Sequence, residues 1–309
     1  MKTVKTGVVG VGAIGHNHAR VYAELENADL VAIFDADEGR AKEFAEKYGA
    51  KATTSLEEFA SMVEAASIST PTVTHRAIGE QLLGNGVHCL VEKPIADNPD
   101  DAAALVEVAH KNDCLLQVGH IERFNPVLEK LEERLTEPKF MEVHRLSPFP
   151  NRSMDVGVVL DVMIHDLEIV LHLVKSPIAH IDAVGVPVLT HREDIANARI
   201  RFENGCVANI TASRISPEKM RKIRVFQHDT YLSLDYQEQD GKMFRKIDGQ
   251  IVPEPVQVEK DEPLKLELAS FIDCVANGER PKVSGAEAAA ALEVAIEITR
   301  LIAEGNPLD

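Results

Sequence analysis

The chain has 309 residues, 50 acidic and 33 basic side chains, and a formal net charge of −17. At roughly 100–200 residues per domain, this length predicts two domains that bury their own cores without disulfide or metal crosslinks. The acidic balance and the absence of tryptophan argue against nucleic-acid binding, which needs a basic surface or aromatic stacking platforms.

Membrane insertion and secretion are also not expected. No stretch approaches the ~18 consecutive apolar residues of a membrane span. The opening segment 1–15 is short and glycine-rich and lacks a cleavage pattern, so it predicts a buried strand and turn. The four cysteines lie far apart and show no zinc or redox spacing: Cys89, Cys114, Cys206 and Cys274. We interpret them as free thiols of a protein in the reducing cytoplasm.

Short apolar runs alternate with helical patterns from residue 1 to about 120. The predicted strands are 4–9, 30–34, 65–69, 87–91 and 115–118, and the predicted helices are 15–26, 37–48, 55–62, 74–85 and 98–112. Ser55 with Glu58, and Asn98 before Pro99, are typical helix starts. Short strands that are apolar on both faces and alternate with helices predict a doubly wound parallel sheet.

The pattern changes after residue 120. Helices are predicted at 122–135 and 157–173, with a strand at 140–146 between them. The strands that follow are 181–188, 196–202, 207–213, 222–227, 231–235 and 243–258, and the last helices are 263–277 and 284–304. Asn204-Gly205 and Asp248-Gly249 are hairpin signals. We therefore predict an α/β domain over 1–120 and an α+β domain with an open, mostly antiparallel sheet over 121–309. The alternative is that the last helices pack back across this boundary.

A glycine-rich turn, Gly10-Val-Gly12-Ala-Ile-Gly15, separates the first predicted strand from the first helix. Such glycines allow a tight turn and the approach of a pyrophosphate to the helix N-terminus. Asp35 ends the second strand 20 residues after Gly15, where a carboxylate accepts hydrogen bonds from ribose hydroxyls and repels a 2′-phosphate. The pattern predicts NAD as cofactor in preference to NADP, although Arg40 lies nearby. A glycine turn without a ligand is the alternative.

Two further segments carry candidate catalytic groups. Glu92-Lys93-Pro94 ends a predicted strand, at the sheet edge where ligands bind, and Lys93 can polarise a hydroxyl and stabilise an alkoxide. Asp161 and His165 are four residues apart on a predicted helix, so the carboxylate can orient the imidazole as a general base. The alternatives are a surface lysine, a surface ion pair and a metal site. No metal-binding spacing such as HExxH is present, so no metal is expected.

Polar residues that suit an anionic or hydroxyl-rich ligand occur in the segment 119–126 and in the loop 147–155. The substrate-binding candidates are Arg123, Asn125, Arg152, Asp161 and His165. The cofactor-binding candidates are Gly10, Gly12, Ala13, Ile14, Gly15, Asp35, Thr70, Pro71, His75, Glu92 and Lys93. Each arginine alone also fits an ordinary surface position, and His75 fits a core or capping position equally well. We interpret His16 and His18 as packing or capping residues.

In order and spacing, the segments 10–15, 34–37, 69–75, 92–94, 119–126 and 157–168 resemble the Gfo/Idh/MocA oxidoreductase family over essentially the whole chain. The resemblance implies a Rossmann domain and a substrate domain whose open sheet packs against another subunit, in a homodimer or homotetramer. It places the catalytic lysine, aspartate and histidine of the family on Lys93, Asp161 and His165. Glu168 is a departure, because family members often carry aspartate there.

The segments 119–126 and 152–166 are most similar to family members that act on UDP-sugars. This resemblance implies a cytoplasmic NAD-dependent dehydrogenase that oxidises a ring hydroxyl, at C3, of a nucleotide sugar such as UDP-N-acetylglucosamine. A dehydrogenase of free sugars or cyclitols such as inositol is one alternative. A regulatory protein that binds NAD without turnover is another, and the complete set Lys93, Asp161 and His165 argues against it.

Overall fold

The computed structural model describes residues 2–149 and 156–305. The chain forms two compact units, one of Met1–Ile121 with Glu262–Ala289 and one of Glu122–Asp261 with Ala290–Asp309. Residues 262–289, which the sequence analysis assigned to the C-terminal domain, are therefore part of the first unit. Within the described ranges, no helix is both long enough and apolar enough to cross a bilayer.

The first unit is built on a six-stranded parallel sheet of order β3-β2-β1-β4-β5-β6, which confirms the predicted doubly wound sheet. Its strands are β1 (Val4–Val9), β2 (Ala28–Phe34), β3 (Lys51–Thr53), β4 (Ala65–Ile68), β5 (His88–Glu92) and β6 (Leu116–Gly119). Its helices in this part of the chain are α1 (Gly15–Glu24), α2 (Glu38–Tyr48), α3 (Leu56–Met62), α4 (His75–Gly84) and α5 (Pro99–Lys111). The sequence did not predict β3, because three residues carry too little periodicity to indicate a strand.

The register of the parallel strands aligns their carboxyl ends. Val9 of β1 pairs with Phe34 of β2 and with Ile68 of β4. Ile68 pairs in turn with Val91, and the next residue of β5 pairs with Gly119 of β6. The residues that follow these strands therefore lie along one edge of the sheet, which is where open α/β sheets bind ligands.

The second unit contains an eight-stranded sheet of order β14-β13-β12-β11-β7-β10-β9-β8. Its first elements are α6 (Pro126–Glu132), β7 (Phe140–Leu146), a π-helical turn (Val159–Met163) and α7 (Ile164–Val174). The remaining strands are β8 (Ile178–Val186), β9 (Ile195–Phe202), β10 (Val207–Ser213), β11 (Met220–Phe226), β12 (Thr230–Asp235), β13 (Asp240–Ile247) and β14 (Gln250–Pro255). Neighbouring strands are antiparallel except β7 and β10, so the mostly antiparallel sheet is confirmed.

Both hairpin signals lie at turns of this sheet. Gly205, between β9 and β10, has φ +84°. Asp248 and Gly249 have φ 49° and 80°, the two positive values of a tight hairpin turn. This turn divides the predicted strand 243–258 into β13 and β14.

The predicted helix 122–135 is interrupted at a proline. A 3₁₀ turn covers Ile121–Phe124, and α6 begins at Pro126. The side chain of Asn125 accepts a hydrogen bond from the N–H of Val127 at 3.2 Å and so caps α6. Proline disfavours the helical conformation at the residue that precedes it, which is why a new helix begins at Pro126.

Two helices complete the described chain, α8 (Pro263–Asn277) and α9 (Gly285–Gly305). Leu268, Phe271 and Ile272 of α8 are fully buried in a cluster with β1 side chains such as Val4 and Val8. Each such buried side chain contributes about 1.5–3 kcal/mol. The apolar face of α8 therefore packs on the parallel sheet, which explains why this segment belongs to the first unit.

A buried ion network joins α7 to the large sheet. The guanidinium of Arg145, on β7, donates to both oxygens of Asp166 on α7, at 2.8 and 2.9 Å. It also donates to Glu122 at 2.9 Å. Burial opposes the charge of Arg145, but the two carboxylates outweigh this effect and raise its pKa. Arg145 is therefore charged at every physiological pH and holds α7 in place.

Replacing Arg145 with methionine tests this network. Arg145→Met leaves Asp166 and Glu122 buried without their main partner, so we expect a loss of about 3–5 kcal/mol in unfolding free energy. Urea unfolding followed by circular dichroism measures it. The control is Arg300→Met, since Arg300 forms exposed ion pairs with Glu297 and Glu304, and we expect almost no shift there. Equal unfolding midpoints for the two variants would contradict the assignment.

Candidate functional site

The loop after β1 is folded so tightly that two of its positions accept only glycine. Gly10 has φ +85°, and a Cβ there would lie 2.8 Å from Cγ2 of Thr70. A Cβ on Gly15 would lie 1.8 Å from the carbonyl oxygen of Gly10. A Cβ on Gly12, by contrast, would meet no atom within 4 Å. Gly10 and Gly15 therefore shape the loop, and Gly12 leaves one side of it open.

The N-terminus of α1 differs from those of α2, α3 and α5, although α4 shares its lack of a side-chain cap among the described residues. Side chains of Asp37, Ser55 and Asn98 cap α2, α3 and α5 by accepting a backbone N–H. In the part of the chain that the structure describes, no side chain caps α1, and its first turn carries no acidic residue. Ala13 and Ile14, just before it, are exposed. An exposed, uncapped helix N-terminus beside an open glycine suits an anion such as a pyrophosphate.

Asp35 lies at the end of β2 and is held by the backbone. Its Oδ2 accepts the N–H of Val11 at 3.0 Å, and its Oδ1 accepts the N–H of Asp37 at 2.9 Å. Arg40 lies 3.5 Å from Asp35 and 3.6 Å from Asp37. Two carboxylates therefore outweigh one guanidinium, and this end of the sheet is net negative.

His75 is an interior residue that connects two loops of the sheet edge. Its Nε2 lies 2.9 Å from the carbonyl oxygen of Thr70, and its Nδ1 lies 3.1 Å from that of Pro94. Burial lowers its pKa. Because the ring is only 1% exposed, it positions Thr70 and the segment around Pro94 instead of presenting itself to a ligand. Thr70 is partly exposed and Pro71 exposed at this edge.

Glu92 is the last residue of β5, and the half-buried Lys93 follows it before a cis peptide bond to Pro94. The Oε1 atom of Glu92 lies 3.0 Å from Nε2 of His18, on α1. Sequence reasoning interpreted His18 as packing or capping and missed this contact. The helical spacing of the buried positions along α1 indicates only that one face of this helix is interior. It does not identify a partner on β5.

Asp161 and His165 belong to one helical segment of the second unit, and both are partly exposed. Asp161 lies in the π-helical turn Val159–Met163 and donates its N–H to the carbonyl of Gly157 at 3.1 Å. The predicted helix over 157–173 is present, but its first turn is π-helical, with one more residue than an α turn. Such turns are frequent at functional sites.

Glu193 anchors the start of this segment. Its carbonyl accepts the N–H of Val158 at 2.9 Å, and its carboxylate accepts the N–H of Val159 at 3.3 Å. A Cβ on Gly157 would lie 1.9 Å from the Glu193 carboxylate, so glycine makes room for this anchor. Nothing near Glu193 in the sequence indicates the role, since the contact spans more than thirty positions.

The structure places two substrate-binding candidates in the interior of the second unit. Arg123 is 2% exposed and forms an ion pair with Glu168 on α7. Glu168, where the family often carries aspartate, thus holds this arginine. Asn125 is also buried, and its amide donates to the carbonyl of Tyr236 at 2.9 Å. Both side chains hold the fold together. Arg152 lies outside the described residues.

The candidate residues thus form separate groups. Those at the carboxyl edge of the parallel sheet are Gly10, Gly12, Ala13, Ile14, Gly15, Asp35, Thr70, Pro71, Glu92 and Lys93. Asp161 and His165 share one segment of the second unit, and Arg123 and Asn125 lie below its surface. Across residues 2–149 and 156–305, no three His, Cys, Asp or Glu side chains are arranged to hold a metal ion.

Comparison with protein families gives matches in both units. Residues 4–120 match the model described as oxidoreductase family, NAD-binding Rossmann fold. Residues 132–230 match the GFO/IDH/MocA C-terminal domain. The uncapped α1 N-terminus, the open side of Gly12 and the fixed carboxylate of Asp35 are features that fit NAD.

Individual relatives agree with the family models. The chain is 36% identical to UDP-N-acetylglucosamine 3-dehydrogenase of Acidithiobacillus ferrooxidans, over 88% of this chain and 89% of that protein. A solved structure of that enzyme superposes with a TM-score of 0.93 at 34% identity, covering 98% of each chain. The scyllo-inositol 2-dehydrogenase (NAD(+)) of Bacillus subtilis is 27% identical, over 99% of this chain and 96% of that protein.

Replacing each of two glycines with alanine distinguishes an effect on ligand binding from an effect on folding stability. For Gly12→Ala, we expect NADH to bind about tenfold more weakly at an unchanged melting temperature, because the methyl group occupies the open side of the loop. For Gly15→Ala, the methyl group meets a backbone oxygen, and we expect a loss of about 2 kcal/mol or more in stability. NADH fluorescence titration and thermal unfolding measure the two effects. Unchanged NADH binding by Gly12→Ala would refute the assignment of this loop.

Proposed function

This chain belongs to the Gfo/Idh/MocA family of NAD-binding oxidoreductases, and we propose that it oxidises a ring hydroxyl, at C3, of a nucleotide sugar such as UDP-N-acetylglucosamine. The observation that supports this substrate is the likeness to UDP-N-acetylglucosamine 3-dehydrogenase over nearly the whole of both chains.

NAD is the proposed cofactor in preference to NADP. Asp35 is oriented by two backbone N–H groups, and each of its oxygens has a lone pair left to accept a hydrogen bond from a ribose hydroxyl. The net negative end of β2 repels a 2′-phosphate, because Arg40 is shared between Asp35 and Asp37. The loop Gly10–Gly15 and the N-terminus of α1 hold the pyrophosphate, and Thr70, Pro71 and Glu92 line the nicotinamide side.

Bound NAD supplies a nicotinamide ring that accepts a hydride from the hydroxyl-bearing carbon. The hydroxyl must also lose its proton, and His165 is the proposed general base, since an imidazole titrates near neutral pH. Asp161 orients that imidazole and stabilises its protonated form. Lys93 donates a hydrogen bond to the hydroxyl oxygen and stabilises the alkoxide as its charge develops.

The proposed substrate contacts are Arg152, Asp161 and His165. Arg123 and Asn125 are left out because Arg123 pairs with Glu168, and the side chain of Asn125 is hydrogen-bonded, inside the second unit. A dehydrogenase of cyclitols is the second candidate function, and the scyllo-inositol 2-dehydrogenase of Bacillus subtilis supports it at 27% identity. The sugar nucleotide is preferred because its relative is the more similar protein.

The open face of the large sheet is the proposed contact with another copy of the chain. Phe140, Phe226, Tyr231 and Phe244 stack across four strands of this face, with centroids 5.7, 5.2 and 4.3 Å apart. All four rings are partly exposed. A row of solvent-facing aromatic rings is typical of an interface, so we propose a homodimer or homotetramer through this sheet. The proposed location of the protein is the cytoplasm.

An assay with purified protein tests the substrate. NAD and UDP-N-acetylglucosamine are mixed with a carbonyl trap, which removes the ketone and pulls the reaction forward, and NADH absorbance at 340 nm is followed on the order of minutes. We expect a rise with NAD that free N-acetylglucosamine does not give, and a smaller one with NADP. Absence of a rise with the nucleotide sugar, together with a rise with inositols, would overturn the proposal in favour of the cyclitol reaction.

His165→Asn tests the general base. We expect the turnover number to fall by about 10²–10⁴ while NADH binding stays the same, because only proton removal is lost. His180→Asn is the control, since His180 is an exposed histidine of the same unit. Stopped-flow turnover and NADH titration give the two quantities. Equal turnover in both variants would show that another group takes the proton.

A further inference from the structure

Glu267, on α8, is a buried carboxyl group that none of the roles above uses. It is 0% exposed, and within the described ranges neither of its carboxylate oxygens has a hydrogen-bond partner. Burial, and then the negative charge of Glu92, raise its pKa well above the ordinary value for glutamate. An ionised carboxylate with no partner is too costly in such surroundings, so Glu267 keeps its proton.

The carboxyl group of Glu92 lies in a space bounded by different elements. His18 of α1 is on one side, with Nε2 3.0 Å from Oε1 of Glu92. Gly119 of β6 is on another, where a Cβ would lie 2.8 Å from the same oxygen. His18 is in turn 2.9 Å from the hydroxyl of Ser67, which lies 2.8 Å from that of Tyr22. Glu92 therefore has little freedom to move.

Two further acidic groups near this space, Tyr22 and Cys89, are protonated. Burial raises the pKa of Tyr22. Burial also raises the pKa of Cys89, on β5. Tyr22, Cys89 and Glu267 are therefore protonated, and the carboxyl group of Glu92 lies beside the imidazole of His18.

We propose that Glu267 is a positioning residue that acts as a neutral carboxylic acid. It fills the space on the α8 side of Glu92 without a competing charge, so that Glu92 keeps its contact with His18 at the carboxyl end of β5, directly before Lys93. An ionised Glu267 repels Glu92 in a medium of low dielectric constant and displaces the end of this strand. The inference rests on the proposed function in one respect only, namely that Glu92 lines the nicotinamide side of the cofactor site.

The first experiment tests whether Glu267 is neutral. In the unfolded chain a glutamate releases its proton at about pH 4.3, whereas folded Glu267 keeps it, so rising pH favours the unfolded state. Glu267→Gln removes this titration and keeps the shape. We expect the folding equilibrium constant of the variant, relative to the parent, to rise by up to about tenfold per pH unit as the pH is raised above about 5. A ratio that does not change with pH would overturn the proposal.

The second experiment tests positioning, with NADH binding as its readout. Glu267→Ala lets Glu92 move toward α8, and Gly119→Ala pushes it from the β6 side. We expect both variants to bind NADH about tenfold more weakly, while Glu267→Gln stays within about twofold of the parent. Parent-like binding by folded Glu267→Ala and Gly119→Ala would reduce Glu267 to a packing role. Neither experiment uses a substrate, so a failure of the nucleotide-sugar assay leaves both results interpretable.

Discussion

The burial of charge is the constraint on which the second unit depends. Arg145 lies buried beneath α7. Because a guanidinium does not lose its charge, its burial requires carboxylate partners. Asp166 comes from α7 and Glu122 from the turn before α6. Glu168 of the same helix holds Arg123. These contacts fix both the position and the rotation of α7, and they therefore determine the direction in which His165 points.

The first unit meets the same constraint in another way. Its sheet is parallel, and the register of the strands brings the loops after β1, β2, β4 and β5 to one edge. Polar groups at this edge are held by the backbone, as Asp35 is, or by interior histidines such as His18 and His75. Burial raises the pKa of Glu267, whose carboxylate oxygens have no hydrogen-bond partner among the described residues. The polar groups at this edge of the sheet are thus held in fixed positions, whereas the N-terminus of α1 remains accessible.

Local signals predicted the features that depend on neighbours in the chain. Ser55 and Asn98 cap helices as their sequence context indicates, because a cap reaches only three residues along the backbone. The turn at Asp248 was equally predictable from its dipeptide. The ion pair of Arg123 with Glu168 could not be predicted, since a polar residue near a domain junction looks the same in sequence whether it faces solvent or another buried side chain. The π turn at Asp161 gave no local signal either.

The amino-acid sequence by itself determined the order and type of nearly all the elements, the glycine loop with its acidic partner Asp35, and the family. These properties follow from short-range periodicity, turn chemistry and spacing. Only the tertiary structure decided that α8 packs in the first unit, that Glu193 anchors the segment carrying Asp161, and that Glu92 lies against His18. Those outcomes depend on which distant elements share a buried space, and burial is a property of the packed chain that no local pattern encodes.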